Sequence, residues 1–157
     1  MTVLKITRVA SEWDGLGLLP IPKYHSLHSS GMDLYADVDS NGFRLAAQGG
    51  RFMCPTGLRV EIPVGYEGQI RPRSGLANQH GITVINSPGT IDSDYRGEIK
   101  VLLVNMDHAN EFWVKRGERI AQLVIAPVAR AEIVLVTEEA LSSTERGEGG
   151  FGSTGTK

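Results

Sequence analysis

The chain has 157 residues, 41% of them hydrophobic and 22% charged, with a formal net charge of -2 at pH 7. That suits one globular domain with one core, and it excludes a global basic field that would draw DNA or RNA. The lone cysteine, Cys54, leaves no disulfide within the chain; in the run Phe52-Met53-Cys54-Pro55 it reads as a small buried hydrophobe of a reducing compartment.

At the N-terminus, MTVLKITRVA alternates apolar and polar residues like a strand and has no signal-peptide h-region. No apolar run approaches the roughly 20 residues that span a bilayer. The expected location is cytoplasmic, with neither membrane nor nucleic acid as partner. GMDLYA (31–36) reads as a strand holding Asp33 among apolar residues, and a buried carboxylate there needs a partner, most simply an arginine. Next, Leu58, Val60 and Ile62 alternate with Arg59 and Glu61 before Pro63. SGLANQH (74–80) predicts a helix of about two turns, with Ser74 as N-cap and Gly81 as C′ residue. Strands follow at 99–104 (IKVLLV), 119–126 (RIAQLVIA) and 131–136 (AEIVLV), and a second helix candidate covers 137–144. Arg119 and Gln122 stand three apart, which on a regular strand sends them to opposite faces. Punctuated by 19 Gly and 7 Pro, this many short strands predicts an all-β sandwich, jelly roll or barrel. Residues 146–157, with five Gly, cannot build a core and are expected to be mobile alone.

Three segments carry candidate chemistry. The stretch 85–98 (INSPGTIDSDYRGE) is a hairpin or wide loop between strand residues. On composition it is a solvated acidic turn, but Tyr95 is a large aromatic among turn residues, and Asp92, Asp94 and Glu98 are interleaved with Arg96. The stretch 71–77 (RPRSGLA) sets two arginines beside a helix start, where unpaired N–H groups attract anions. Ser74 adds a hydroxyl there, and Gly75 admits a ligand to the backbone. The tail RGEGGFGSTG (146–155) matches G-x-G-x-x-G formally, but no strand and helix surround it, so it is not a dinucleotide fold. Phe151 with Arg146, Ser153 and Thr154 suits a tail that folds over an anionic ligand. His25, His28, His80 and His108 are scattered, without metal-ligand spacing.

In this order, GMDLYA, RPRSGLA, GTIDSDYRGE (89–98), RIAQL (119–123) and RGEGGFGSTG resemble the five motifs of the homotrimeric dUTPase family. The resemblance implies a β jelly roll, or distorted barrel of the β-clip type, over residues 1–140, with one short helix. Residues 141–157 would be a flexible C-terminal arm that closes over an active site. It implies three subunits, with active sites at their interfaces. The reaction implied is hydrolysis of dUTP to dUMP and pyrophosphate, which limits uracil in DNA and supplies dUMP for dTMP synthesis. By motif position, Asp92 resembles the base that activates water and Tyr95 the residue under the deoxyribose. Asn86 and its neighbours resemble the hairpin that pairs with uracil, and Thr90 and Ile91 further substrate-binding residues. Arg73, Ser74, Gly75 and Gln122 resemble the phosphate-binding set. Arg146, Phe151, Gly152 and Ser153 resemble the tail residues that close over substrate. The implied cofactor is Mg²⁺, held mainly by triphosphate and waters, with Asp33 a supporting acid near that water shell or in the arginine network. Two departures stand out: Thr90 where a more apolar residue is common, and Arg-Phe-Met-Cys (51–54) in place of a run of valines.

An aspartate ordinarily titrates near ~3.9, so at neutral pH it is charged but a weak base. General base catalysis supplies about 10²–10⁴-fold; orienting the water and neutralising the phosphates must supply more. A dozen tail residues extend to roughly 40 Å, enough to reach a neighbouring subunit. The alternatives are a dCTP deaminase of the same superfamily and a non-catalytic nucleotide-binding jelly roll.

Overall fold

The structure, a computed structural model, describes residues 2–150 and Ser153. In chain order the strands are β1 (Lys5–Arg8), β2 (Gly31–Tyr35), β3 (Phe43–Leu45), β4 (Arg51–Pro55), β5 (Leu58–Glu61) and β6 (Tyr66–Arg71). Helix α1 (Ser74–His80) follows, then β7 (Ile82–Val84), β8 (Gly89–Ile91), β9 (Lys100–Asn105), β10 (Phe112–Val114) and β11 (Arg119–Pro127). All pairings are antiparallel, in two sheets ordered β2-β11-β6-β8 and β4-β9-β7 and two ribbons, β1-β5 and β10-β3. Both sheets feed one buried cluster: Leu34, Ile70 and Leu123 from the first meet Cys54, Ile82 and Leu103 from the second. This is the expected all-β jelly roll with one short helix. Each fully buried Leu or Ile contributes about 1.5–3 kcal/mol.

The alternation read at 58–62 is realised. Leu58 and Val60 are buried, Arg59 and Glu61 exposed, and the strand pairs with β1. Cys54 is buried, as its neighbours suggested, and that burial pushes its thiol pKa well up, with smaller contributions from Asp37, Glu98 and Glu118. Gly81 closes α1 in the left-handed conformation at φ 65°. Ser74, however, is the first helical residue; Arg73 holds the N-cap position, without a side-chain capping bond.

Three other expectations are corrected. The segment 131–136 forms no strand: Ile133 and Leu135 are 94% and 98% exposed, because no strand among the described residues pairs with it. Within 137–144 only a single 3₁₀ turn forms, Glu138–Ala140. Most consequentially, β11 is not regular. Arg119 faces Tyr35, whereas Ala121 faces Leu34 and Gln122 faces Asp33, so a bulge shifts the register between Arg119 and Ala121. A bulge adds one residue and inverts the parity downstream, so Arg119 and Gln122 both turn toward the Asp33 neighbourhood. Among the described residues no helix is long and apolar enough to cross a membrane.

Candidate active site

Residues 85–88 form a loop that leads from β7 in one sheet to β8 in the other, rather than a hairpin turn. β7 pairs with β9, while β8 pairs with β6. A cleft of about 280 Å³ opens where the two diverge. Its walls are apolar, from Met53, Ile70, Val84 and Leu102; its polar groups come from Asn86, Thr90, Asp92 and Tyr95, with Gly89, Ile91, Glu98 and Lys100 completing the lining. That mixture suits a flat heteroaromatic base with a polar edge. Gly89 is buried, and a side chain there would come within 3.1 Å of Asn86 Nδ2, so glycine lets Asn86 lie against the strand.

Asp92 is exposed at the cleft and begins a turn in which the Tyr95 N–H donates to its carbonyl (3.1 Å). Arg96 does not pair with the acids around it. Its Nη1 donates to the carbonyls of Ser93 (2.8 Å) and Tyr95 (2.9 Å) and braces the turn. The Tyr95 hydroxyl donates to the Glu98 carbonyl (3.0 Å), and the ring lies where a side chain at position 97 would go, which is why that position is glycine.

A second cluster gathers at the far end of β6. Asp33 Oδ1 receives Arg73 Nε and Oδ2 receives Arg119 Nη1, both at 3.1 Å. Arg73 Nη1 also donates to the Arg119 carbonyl (2.9 Å), and Gln122 Nε2 to the Pro72 carbonyl (3.1 Å). The arginine partner expected for Asp33 is therefore a pair. Ser74 is exposed beside them. A side chain at Gly75 would meet nothing within 4 Å, so packing within the chain does not explain a helical glycine that costs about 1 kcal/mol relative to Ala. It leaves open space for a ligand.

These two clusters do not meet within one chain. Ile91 lies opposite Gly68, so Asp92 falls near Glu67, while Gln122 lies opposite Arg71. Four residues of strand separate the two levels by about 13 Å. In the tail, Arg146 Nε donates to the Gly149 carbonyl (2.7 Å), and the exposed Ser153 donates its N–H to the Gly150 carbonyl (3.0 Å), so the hydrogen bonds of both are to their own segment. Phe151, Gly152 and Thr154 lie outside the described residues.

Sequence reasoning missed two participants. His25 places Nε2 3.3 Å from Asp33 Oδ2, a contact across an irregular loop that no spacing signals. Glu98, by sequence one acid of a turn, accepts the Gly57 N–H on its side chain (2.9 Å). Its position directly before the buried Ile99 was the available sign.

An apolar-walled cleft with Asp92 in its lining, and a separate arginine pair, form a surface whose chemistry suits a nucleoside phosphate. The model of the dUTPase family matches residues 19–155. A deoxyuridine 5'-triphosphate nucleotidohydrolase of Rhizobium etli (strain CIAT 652) is 56% identical over 137 residues, 87% of this chain and 86% of that protein. The Staphylococcus bacteriophage 80alpha dUTPase with dUPNHPP superposes with a TM-score of 0.83 at 25% identity, over 99% of each chain. A mutant dUTPase from phage phi11 of S. aureus, in which a structural Mg(II) ion is coordinated, shares the fold with a TM-score of 0.71 at 21% identity, over 87% of this chain and 97% of that one. The chain belongs to the dUTPase family.

Proposed function

We propose that the cleft of Asn86, Thr90, Ile91, Asp92 and Tyr95 receives the deoxyuridine end of the substrate, and that Arg73, Ser74, Gly75 and Gln122 receive its phosphates. The enzyme is a dUTP diphosphatase, a hydrolase that converts dUTP to dUMP and pyrophosphate. The observation that carries the site reading is the cleft itself, large enough for a base, apolar-walled and lined by Asn86 and Asp92. Asn86 offers both donor and acceptor to a uracil edge. Cytosine reverses the pattern there and leaves groups unpaired at about 1–3 kcal/mol each. Tyr95 lies under the sugar and excludes a 2′-hydroxyl. Asp92 takes a proton from the water that attacks the α-phosphorus, and pyrophosphate leaves with the bridging oxygen.

The 13 Å separation supports a site shared between copies, with one chain supplying Asp92 and another the arginines. The exposed apolar segment 131–136 supports the same homotrimeric reading, because an isolated chain leaves it uncovered. We assign 1–140 to the catalytic domain and 141–157 to an arm whose Arg146, Phe151, Gly152 and Ser153 close over the nucleotide, and place the enzyme in the cytoplasm.

Mg²⁺ fits as an ion that arrives on the triphosphate. Among the described residues no group of three or more His, Cys, Asp or Glu could hold a metal, and both Asp33 oxygens already face guanidinium groups. Bound there, it supplies neutralisation of the polyanion. Asp33 supports the arginines that share this task.

Asp92→Asn tests the assignment. Pyrophosphate release from dUTP should fall by at least ~10²-fold while dUTP binding persists. Turnover near the parent rate removes Asp92 from the mechanism. Ammonia release from dCTP would reveal a deaminase instead.

A further inference from the structure

The loop that carries Asp92 and Tyr95 ends on Glu98, and its exit is clamped to the turn between β4 and β5. The Gly57 N–H donates to Glu98 Oε1 (2.9 Å), Thr56 Oγ1 to the Ile99 carbonyl (2.7 Å), and the Ile99 N–H to the Leu58 carbonyl (2.8 Å). The acceptor side of the first bond is well shielded: the Glu98 side chain is 18% exposed, with Lys100 Nζ 3.7 Å from its other oxygen. The donor side is fixed too. Gly57 sits at φ 67°, and the Asp37 carboxylate, 2.7 Å from where a side chain would begin, fills the adjoining space. The backbone carbonyl of Glu98 is also the acceptor for the Tyr95 hydroxyl. Tyr95 itself is 42% exposed and leans on its own loop.

We propose that Glu98 is a positioning residue that sets sugar selectivity by holding Tyr95; the proposal rests on the reading of Tyr95 as the residue under the deoxyribose. The side chain of Glu98 fixes its main chain against Gly57, and that main chain fixes the hydroxyl end of the ring. A ring pinned at its far end cannot tilt to make room for a 2′-hydroxyl. A ring pinned only at Cβ can.

The test is the ratio of kcat/KM for dUTP to that for UTP, measured by pyrophosphate release on the full chain, with UTP scored as a competitive inhibitor where its turnover is below detection. Loss of folded protein acts on both substrates alike, so the ratio reports positioning alone. Glu98→Ala should lower it about tenfold, the scale of one lost hydrogen bond. Glu98→Gln keeps an acceptor for Gly57 and should restore most of it. Tyr95→Phe removes only the bond to the Glu98 carbonyl and should lower the ratio to the same extent, which keeps the test open if Glu98→Ala does not fold. A parental ratio in Glu98→Ala or Tyr95→Phe, or an equal loss in Glu98→Gln and Glu98→Ala, overturns the proposal. Tyr95→Ala separates the two readings. A ratio unchanged in that variant removes the sugar role of Tyr95, and with it the proposal. A ratio lowered there but not in Glu98→Ala removes only the role of Glu98.

Discussion

Asp33→Asn is the perturbation that isolates the arginine pair. The carboxylate is 14% exposed and takes one guanidinium on each oxygen at 3.1 Å. Asparagine keeps the shape but loses the charge, and turns an amide toward one of two cations. The Arg73 contact is the better shielded, at 26% side-chain exposure against 48% for Arg119. A charge-assisted bond of the first kind is worth about 1.5–3 kcal/mol, while the half-exposed pair adds at most about 1 kcal/mol. The asparagine oxygen keeps one neutral hydrogen bond of about 0.5–1.5 kcal/mol, so a net stability loss of about 1–2 kcal/mol remains, which lowers Tm by roughly 2–8 °C in a domain of this size. Released arginines must be ordered again by the substrate, so KM for dUTP should rise about tenfold with kcat falling less. The assay is pyrophosphate release across dUTP concentrations at fixed Mg²⁺ and ionic strength, with thermal unfolding alongside. The opposing effect is unmasking of positive charge, which would pull the polyanion in and lower KM. A lowered or parental KM refutes the view that Asp33 acts by holding the arginines in place.

Gly97→Ala places a methyl group into the Tyr95 ring, so it should lower dUTP turnover about tenfold through displacement of that ring; parental kinetics would show that the loop yields without cost. Burial raises the Cys54 pKa in the folded state, so above about pH 8.5 the unfolded chain releases a proton that the folded chain keeps. Stability should therefore fall as pH rises past that value, by up to about 1.4 kcal/mol per pH unit from this group, and denaturant titrations of Cys54→Ala should lose that increment of slope. Closure of the tail costs roughly 1–2 kcal/mol per ordered residue, which only a highly charged ligand offsets, so dUDP should be hydrolysed far more slowly than dUTP; comparable rates would count against a closing arm.

Much of the site was legible because its signals are local. Gly81 announces a left-handed helix end through its own backbone freedom. Leu58 and Val60 announce a half-buried strand through a period of two. The short motifs around Asp33, Arg73, Asp92 and Gln122 follow the order of the dUTPase family, to which the chain belongs. What tertiary structure alone decided depends on register and on pairing between distant segments. The bulge at Arg119 reverses the face of Gln122 by a single inserted residue, to which side-chain pattern is blind. β7 and β8 part into different sheets because their partners are β9 and β6, and that parting makes the cleft. Glu98 acquires a role only because the turn at Gly57 folds against it. The segment 131–136 is strand-like by itself, yet a strand needs an edge to pair with, and the described residues of one chain do not pair with it.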